Sequence, residues 1–438
     1  MENNITNVTD LNIKTDILEI FDHTLNPFSK ENLSQILLTP LLNIDEINHR
    51  QQIIRGFLSN KELLEKYHYN RVDFNDVHTL LTKSDSTTLN IRFKIYLFLN
   101  KEKRNATKGI YIQFIFFLKQ LHTFIANFIN IDTFPTAYRD EITFLKEYLL
   151  QYDLDSYSTL VSENKFKIAN VIVLKKKINE LHKDKTKEFF KCLFKFESLL
   201  SISISIHNRG FVFPTIGNQV FSITGIYHPL LHKPILNNVS LDKHVVLITG
   251  PNMAGKSTLL KAIAISVYLG HLGLAIPAEE AKFPFFKNIC VYINHTDNLE
   301  QGYSHFLREV KNLKETALLA LNGTPVFAIF DEIFKGTNMN DALEITRATI
   351  NGLSKFNRSL FFISTHIDEL KDIASKSADS YYLDCKVVDG FPRFSYQLKK
   401  GWSSVQIGKI LFKNEGLYTI FQPHSGLIAT NPLNKKNG

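Results

Sequence analysis

The chain has 438 residues, too many for one domain of ordinary size and enough to bury two cores, which excludes a small scaffold stapled by disulfides or metal. Hydrophobic residues make up 44% and charged residues 21%, near globular averages, which excludes a long disordered chain, a fibre and a membrane transporter. Lysine plus arginine outnumber aspartate plus glutamate, 51 to 43, and the resulting charge of +8 permits a polyanionic partner without demanding one; three cysteines without a C-x-x-C exclude a disulfide framework and a cysteine-ligated zinc.

From the N-terminus, residues 1–10 are polar and acidic, unlike a secretory signal, and with the cysteine usage this predicts a reducing, cytoplasmic setting. Helical periodicity follows over 17–21, 32–38, 45–58, 110–131, 140–150 and 189–200. The stretch 110–131 is interrupted by Gln113, Lys119, Gln120, His122 and Asn127, which predicts a buried helix and no membrane span. The lysines at 175, 176, 177, 183, 185 and 187 alternate with apolar residues and read as a solvated helix face. Residues 201–206 alternate polar and apolar, which predicts a short strand, and a domain boundary is expected at 205–220. Beyond it, three apolar runs at 244–249, 325–330 and 359–364 are separated by helical patterns, as in an α/β domain with a largely parallel sheet. The fold class is therefore α plus α/β: a mainly helical domain over 1–215, an α/β domain over 216–425 and a polar, disordered tail over 426–438.

Gly250-Pro251-Asn252-Met253-Ala254-Gly255-Lys256-Ser257 fits G-x-x-x-x-G-K-[ST], with a strand before it and a helix pattern through Leu260, Ile263 and Val267 after it. Such a loop turns its N–H groups toward phosphate at a helix N-terminus, with Lys256 on the β- and γ-phosphates and the Ser257 hydroxyl on Mg²⁺. Asp331-Glu332 closes the second apolar run, where Asp331 is placed to hold Mg²⁺ and Glu332 to act as general base on water. His366, after the third run, is placed to bond the γ-phosphate or that water. Ser304 precedes an amphipathic helix through Val310, Leu313, Ala317 and Leu321 and on its own reads as a helix N-cap. Together these residues predict an ATPase that uses ATP and Mg²⁺.

Three segments, Thr249 through the loop to Thr258, then Asp331-Glu332-Ile333-Phe334-Lys335-Gly336-Thr337, then Ser364-Thr365-His366, resemble the ATPase domain of the MutS family of DNA mismatch repair proteins. Gly-Pro-Asn-Met inside the loop is more specific than the loop alone. Thr39-Pro40-Leu41-Leu42-Asn43-Ile44-Asp45-Glu46-Ile47-Asn48-His49-Arg50 is similar to the opening of the family's core domain. The resemblance implies a helical core and lever domain followed by an ABC-type P-loop ATPase domain, in which two subunits face each other. Ser304 matches the signature serine that completes the partner's nucleotide site in trans. Asn252 matches the asparagine that contacts the γ-phosphate, and Thr337 falls in the segment joining the two sites. The expected partners are DNA, as mismatched or branched duplex, and a second subunit, either this chain or a MutS paralogue.

Several positions depart from the family. Ala254 stands where glycine is common, His305 follows the signature serine where threonine is usual, and Phe334-Lys335 replaces Gly-Arg. The expected adenine contact, Lys233-Pro234-Ile235-Leu236-Asn237, holds no aromatic, leaving Ile235 as the substitute. Phe194-Lys195-Phe196-Glu197 lies in a helical pattern and reads as core, so no mismatch-reading wedge is visible. The N-terminal recognition and connector domains and a C-terminal nuclease-like domain are expected to be missing. DNA maintenance by a dimer that closes on ATP is the leading expectation. A nucleotide-gated clamp for branched DNA or stalled ribosomes, a partner subunit of a longer paralogue, and an unrelated ABC-type ATPase are the alternatives.

Overall fold

Asparagine opens the first long helices. Asn26 accepts from Ser29 N–H at 2.9 Å and begins the helix Pro27–Leu38, with proline at its first position. Asn43 accepts from Glu46 N–H at 2.9 Å and begins the helix Ile44–Ser59, while Glu46 reaches back to Leu42 N–H at 3.1 Å. The computed structural model describes residues 7–82, 100–180, 183–217, 219–293, 305–403, 405 and 407–421. These form two compact units, Met1–His232 with Ala262–Val291, and Lys233–Lys261 with Tyr292–Gly438. The tail 426–438 lies outside the described residues.

The first unit is built on two 27-residue helices, Lys101–Asn127 and Lys183–Arg209. By length and composition Lys101–Asn127 is the one helix among the described residues apolar enough to cross a membrane. Its Phe114, Ile115, Leu118 and Leu121 are nonetheless wholly buried in this unit's own core. Phe196 and Glu197 are also core, at 1% and 2% exposure. Glu197 accepts from Asn26 Nδ2 at 3.0 Å, from the Tyr69 hydroxyl at 2.6 Å and from Leu25 N–H, so its burial, which raises its pKa, is compensated by three donors.

The expected strand over 201–206 is instead the last part of Lys183–Arg209, and the reason is local chemistry. Ser201 donates to Phe21 C=O at 2.6 Å, Ser203 to Leu199 C=O at 2.7 Å and Ser205 to Ile20 C=O at 2.6 Å. Each serine is buried as a satisfied donor, so a pattern of period two coexists with a helix buried on every side.

In chain order the strands are β1 (Thr215–Ile216), β2 (Phe221–Ile226), β3 (Asn237–Leu241), β4 (Val245–Thr249), β5 (Glu280–Phe283), β6 (Asn288–Tyr292), β7 (Val326–Phe330), β8 (Leu360–Ser364), β9 (Asp379–Val388) and β10 (Phe391–Lys400). In the first unit β5 pairs parallel with β1 and antiparallel with β2. His271 ties this region together. Its Nδ1–H donates to Val267 C=O at 2.7 Å, its Nε2 accepts from Phe286 N–H at 2.8 Å, and Phe283, Phe285 and Phe286 stack around it.

Burial holds the His271 pKa down to about 4, against a weaker opposing contribution from the Val267 hydrogen bond. A base with a depressed folded pKa stabilises the fold above its unfolded pKa of 6.5 and loses that contribution as pH falls toward 4. Urea unfolding should therefore lose about 3 kcal/mol across that window. His271→Gln should flatten the dependence; an unchanged slope in that variant contradicts the assignment.

In the second unit β10, β9, β4, β8 and β7 lie side by side in that order, parallel except for the antiparallel β9–β10 hairpin. Every residue of β4, β7 and β8 is buried, as befits parallel strands covered on both faces. The register sets Ile248 beside Ser364 and Phe330 beside Ile363, so the carboxyl ends of β4, β8 and β7 fall level. Whatever follows these strands must converge.

Candidate functional site

Three loops leave those carboxyl ends. The first, Gly250 to Gly255, turns sharply because Gly250 has φ +136° and a side chain there would press on Leu383 C=O, with its Cβ at 3.3 Å. Pro251 and Ala254 are buried, and Asn252 and Met253 are exposed at the tip. The Ala254 methyl is thus absorbed in the packing. Lys256 starts the helix Lys256–His271, with Ser257 and Thr258 exposed on its first turn.

Lys256 is 5% exposed and folds back over the loop, its Nζ donating to Gly250 C=O at 3.1 Å and Pro251 C=O at 3.3 Å. Burial lowers its pKa, and the nearby Glu332 and Asp331 oppose that shift. The Glu332 carboxylate stands 3.6 Å away. The loop thereby holds a buried cation against its own carbonyls.

Asp331, at the end of β7, is buried and accepts from the hydroxyls of Ser257 and Ser364. Ser364 also accepts from Glu332 N–H at 2.8 Å, so one hydroxyl positions both acids. Ser257 and Asp331, both expected on Mg²⁺, therefore meet. A hydroxyl and a carboxylate are the hard oxygen donors that suit magnesium, which takes few protein ligands and leaves the rest to water and phosphate.

Glu332 is the most crowded ion of the site. Its carboxylate accepts from His366 Nε2–H and from Lys335 Nζ at 2.8 Å. The His366 hydrogen bond, then Lys335, then Lys256 hold its pKa well below the usual carboxylate range, against the opposing effect of burial. Lys335, in turn, has a raised pKa from the same pair.

Ser304 and the trans role given to it lie outside the described residues, and His305 begins the helix His305–Leu321. Ile235 is 44% exposed, and an aromatic from far along the chain lies near its segment. Tyr396, 48% exposed with φ +56°, sits where β10 shifts register between Phe394 and Leu398. Asn237 Nδ2 donates to Tyr396 C=O at 3.1 Å and to Ile235 C=O at 3.3 Å, tying Tyr396 to the Ile235 segment. The Tyr396 ring also lies 3.4 Å from where a Cβ on Gly255 would stand. Only long-range pairing brings it there, so no local signal announces it. A cleft of about 500 Å³ borders the loop, lined by Pro251, Met253, His366, Trp402 and Leu411.

Fold and site together define an α plus α/β protein whose glycine-rich loop, acidic pair and histidine converge at one end of a mainly parallel sheet. Family comparison places it more closely. The family model for MutS domain III matches residues 3–322 and that for MutS domain V matches residues 246–415, and the chain belongs to the MutS family. It is 27% identical over 257 residues to a DNA mismatch repair protein MutS of Lactococcus lactis, covering 56% of this chain and 30% of that protein. Against the MutS of Thermus thermophilus the identity is 31% over 213 residues, covering 48% and 26%, and against that of Leuconostoc mesenteroides 32% over 217 residues, covering 46% and 25%. The match therefore spans under a third of the length of these relatives.

Proposed function

We propose that this chain is an ATP-hydrolysing MutS-family protein that acts on DNA as a dimer, with a core and lever region over 1–215 and an ABC-type ATPase domain over 216–425. The observation that carries this reading is the meeting of Lys256, Ser257, Asp331, Glu332 and His366 at the level carboxyl ends of β4, β8 and β7. DNA as partner rests on the family relationship and on relatives named for DNA mismatch repair.

In this reading Gly250 to Gly255 wraps the phosphates and Lys256 exchanges the Gly250 and Pro251 carbonyls for β- and γ-phosphate oxygens. Ser257 and Asp331 would hold Mg²⁺, which supplies positive charge to the phosphate oxygens. Glu332 orients the attacking water and takes its proton, while the water oxygen bonds to the γ-phosphorus and the bond from that phosphorus to the bridging oxygen breaks, giving ADP and phosphate. His366 holds Glu332 at its other face. Tyr396 offers a ring for the adenine, beside Ile235, and base-on-aromatic stacking contributes about 1–3 kcal/mol. Ser304 of each subunit completes the other's site, so ATP draws the dimer closed and hydrolysis releases it.

The test pairs phosphate release from Mg-ATP with binding to perfect duplex, mismatched duplex and four-way junction, each at several salt concentrations. Turnover, salt-sensitive DNA binding and dimerisation with ATP by light scattering are expected. A chain that hydrolyses ATP, remains monomeric and binds none of the three DNAs would refute the DNA-acting dimer. Preference for the junction over the mismatch would favour a clamp for branched DNA.

A further inference from the structure

Two residues beyond Glu332 the backbone does something unfavourable. Phe334 has φ +66°, in the left-handed region where bulky L-residues are rare, although it fills a position where the family usually has glycine. Glycine would make the same turn without strain, so the phenylalanine persists only because its surroundings over-determine it. Those surroundings are explicit. The ring is 1% exposed and packs on Phe306 with centroids 6.0 Å apart, and its N–H donates to Glu309 Oε2 at 2.7 Å. Gly336 closes against the same ring-bearing residue, since a Cβ there would stand 3.4 Å from Phe306 Cβ.

Phe306 and Glu309 both belong to the start of His305–Leu321. The segment after β7 is therefore held at one end by Ser364, on Glu332 N–H, and at the other by the start of this helix. Between these anchors, Glu332 itself has φ +52°, and Lys335 returns to its carboxylate. A shift of Phe334 would carry the carboxylate and its cation together. The contacts of Phe334 with Phe306 and Glu309 do not themselves involve Lys256 or Ser257, although the carboxylate they place stands 3.6 Å from Lys256 Nζ.

We infer that Phe334 is a positioning residue for Glu332, and that its contact with Phe306 couples the placement of the general base to the first turn of His305–Leu321. This rests on the ATPase reading above. Misplacing a base by about 1 Å can slow chemistry by roughly a hundredfold.

The test uses the full chain with Mg-ATP and four variants, Phe334→Gly, Phe306→Ala, the double variant and Phe334→Leu. Phosphate release and fluorescent-nucleotide affinity are measured alongside thermal melting. Phe334→Gly and Phe306→Ala should each lower kcat by about tenfold or more, with nucleotide affinity within about twofold of wild type. The double variant should be no worse than the worse single one, and Phe334→Leu should recover most of kcat. If Phe334→Gly does not fold, Phe306→Ala, with its half-buried ring, carries the same expectation. A lower melting temperature with unchanged kcat would mean that the contact only packs, and losses that multiply would mean that the two rings are uncoupled. Either result overturns the inference while leaving the ATPase intact. A wild-type chain that binds nucleotide but releases no phosphate overturns both.

Discussion

Glu332→Gln should bind Mg-ATP as tightly as the wild type and release phosphate at least about 100-fold more slowly, the usual scale for loss of a general base. The amide has nearly the shape of the carboxylate, and its oxygen still accepts from His366, so the loops around it keep their places. What it lacks is an oxygen basic enough to take a proton from water. The carboxylate is already stabilised as an ion by His366, Lys335 and Lys256, with a pKa well below its ordinary value. Such a group stabilises the fold above its ordinary pKa of 4.5, a contribution lost as pH falls below that value. It also stays ionised through the neutral and mildly acidic range, so an acid limb seen there in the rate profile belongs to another group. Lys335, 65% exposed, is the most easily displaced of its three partners when water must be engaged. Equal turnover by Glu332→Gln and wild type in matched preparations would remove Glu332 from the chemistry.

Lys256→Ala should fail one step earlier. Its ammonium is nearly buried and converges with two loop carbonyls and the Glu332 carboxylate, a point charge waiting at the place a triphosphate would occupy. Losing a charge-assisted contact of this kind costs about 3 kcal/mol, so nucleotide affinity should fall roughly a hundredfold. The two variants thus divide binding from chemistry: Lys256→Ala raises KM and the nucleotide Kd, and Glu332→Gln lowers kcat alone. Titration with a fluorescent nucleotide decides it, and unchanged affinity in Lys256→Ala would contradict the phosphate role.

Most of this site was legible along the chain because its elements are local. β4, β7 and β8 are continuous apolar runs, and the glycine loop, the acidic pair and His366 follow directly on their ends. Ser201, Ser203 and Ser205 misled for an equally physical reason. Alternation argues for a strand only when the polar residues need water, and these hydroxyls are satisfied by carbonyls. Tyr396 and the role of Phe334 were beyond local reading. The first reaches the loop only through the β9–β10 hairpin and Asn237, and Phe334, visible along the chain as a departure from the family's glycine, has a backbone angle that a residue name does not disclose.

The most direct measurement of the central claim is a single-turnover assay with radiolabelled Mg-ATP, run on wild-type chain and Glu332→Gln purified side by side and scored for both bound nucleotide and released phosphate. The account predicts that both proteins retain ATP and that only the wild type converts it to ADP and phosphate. Conversion at the same rate in both proteins, or no retention of ATP by either, would contradict it.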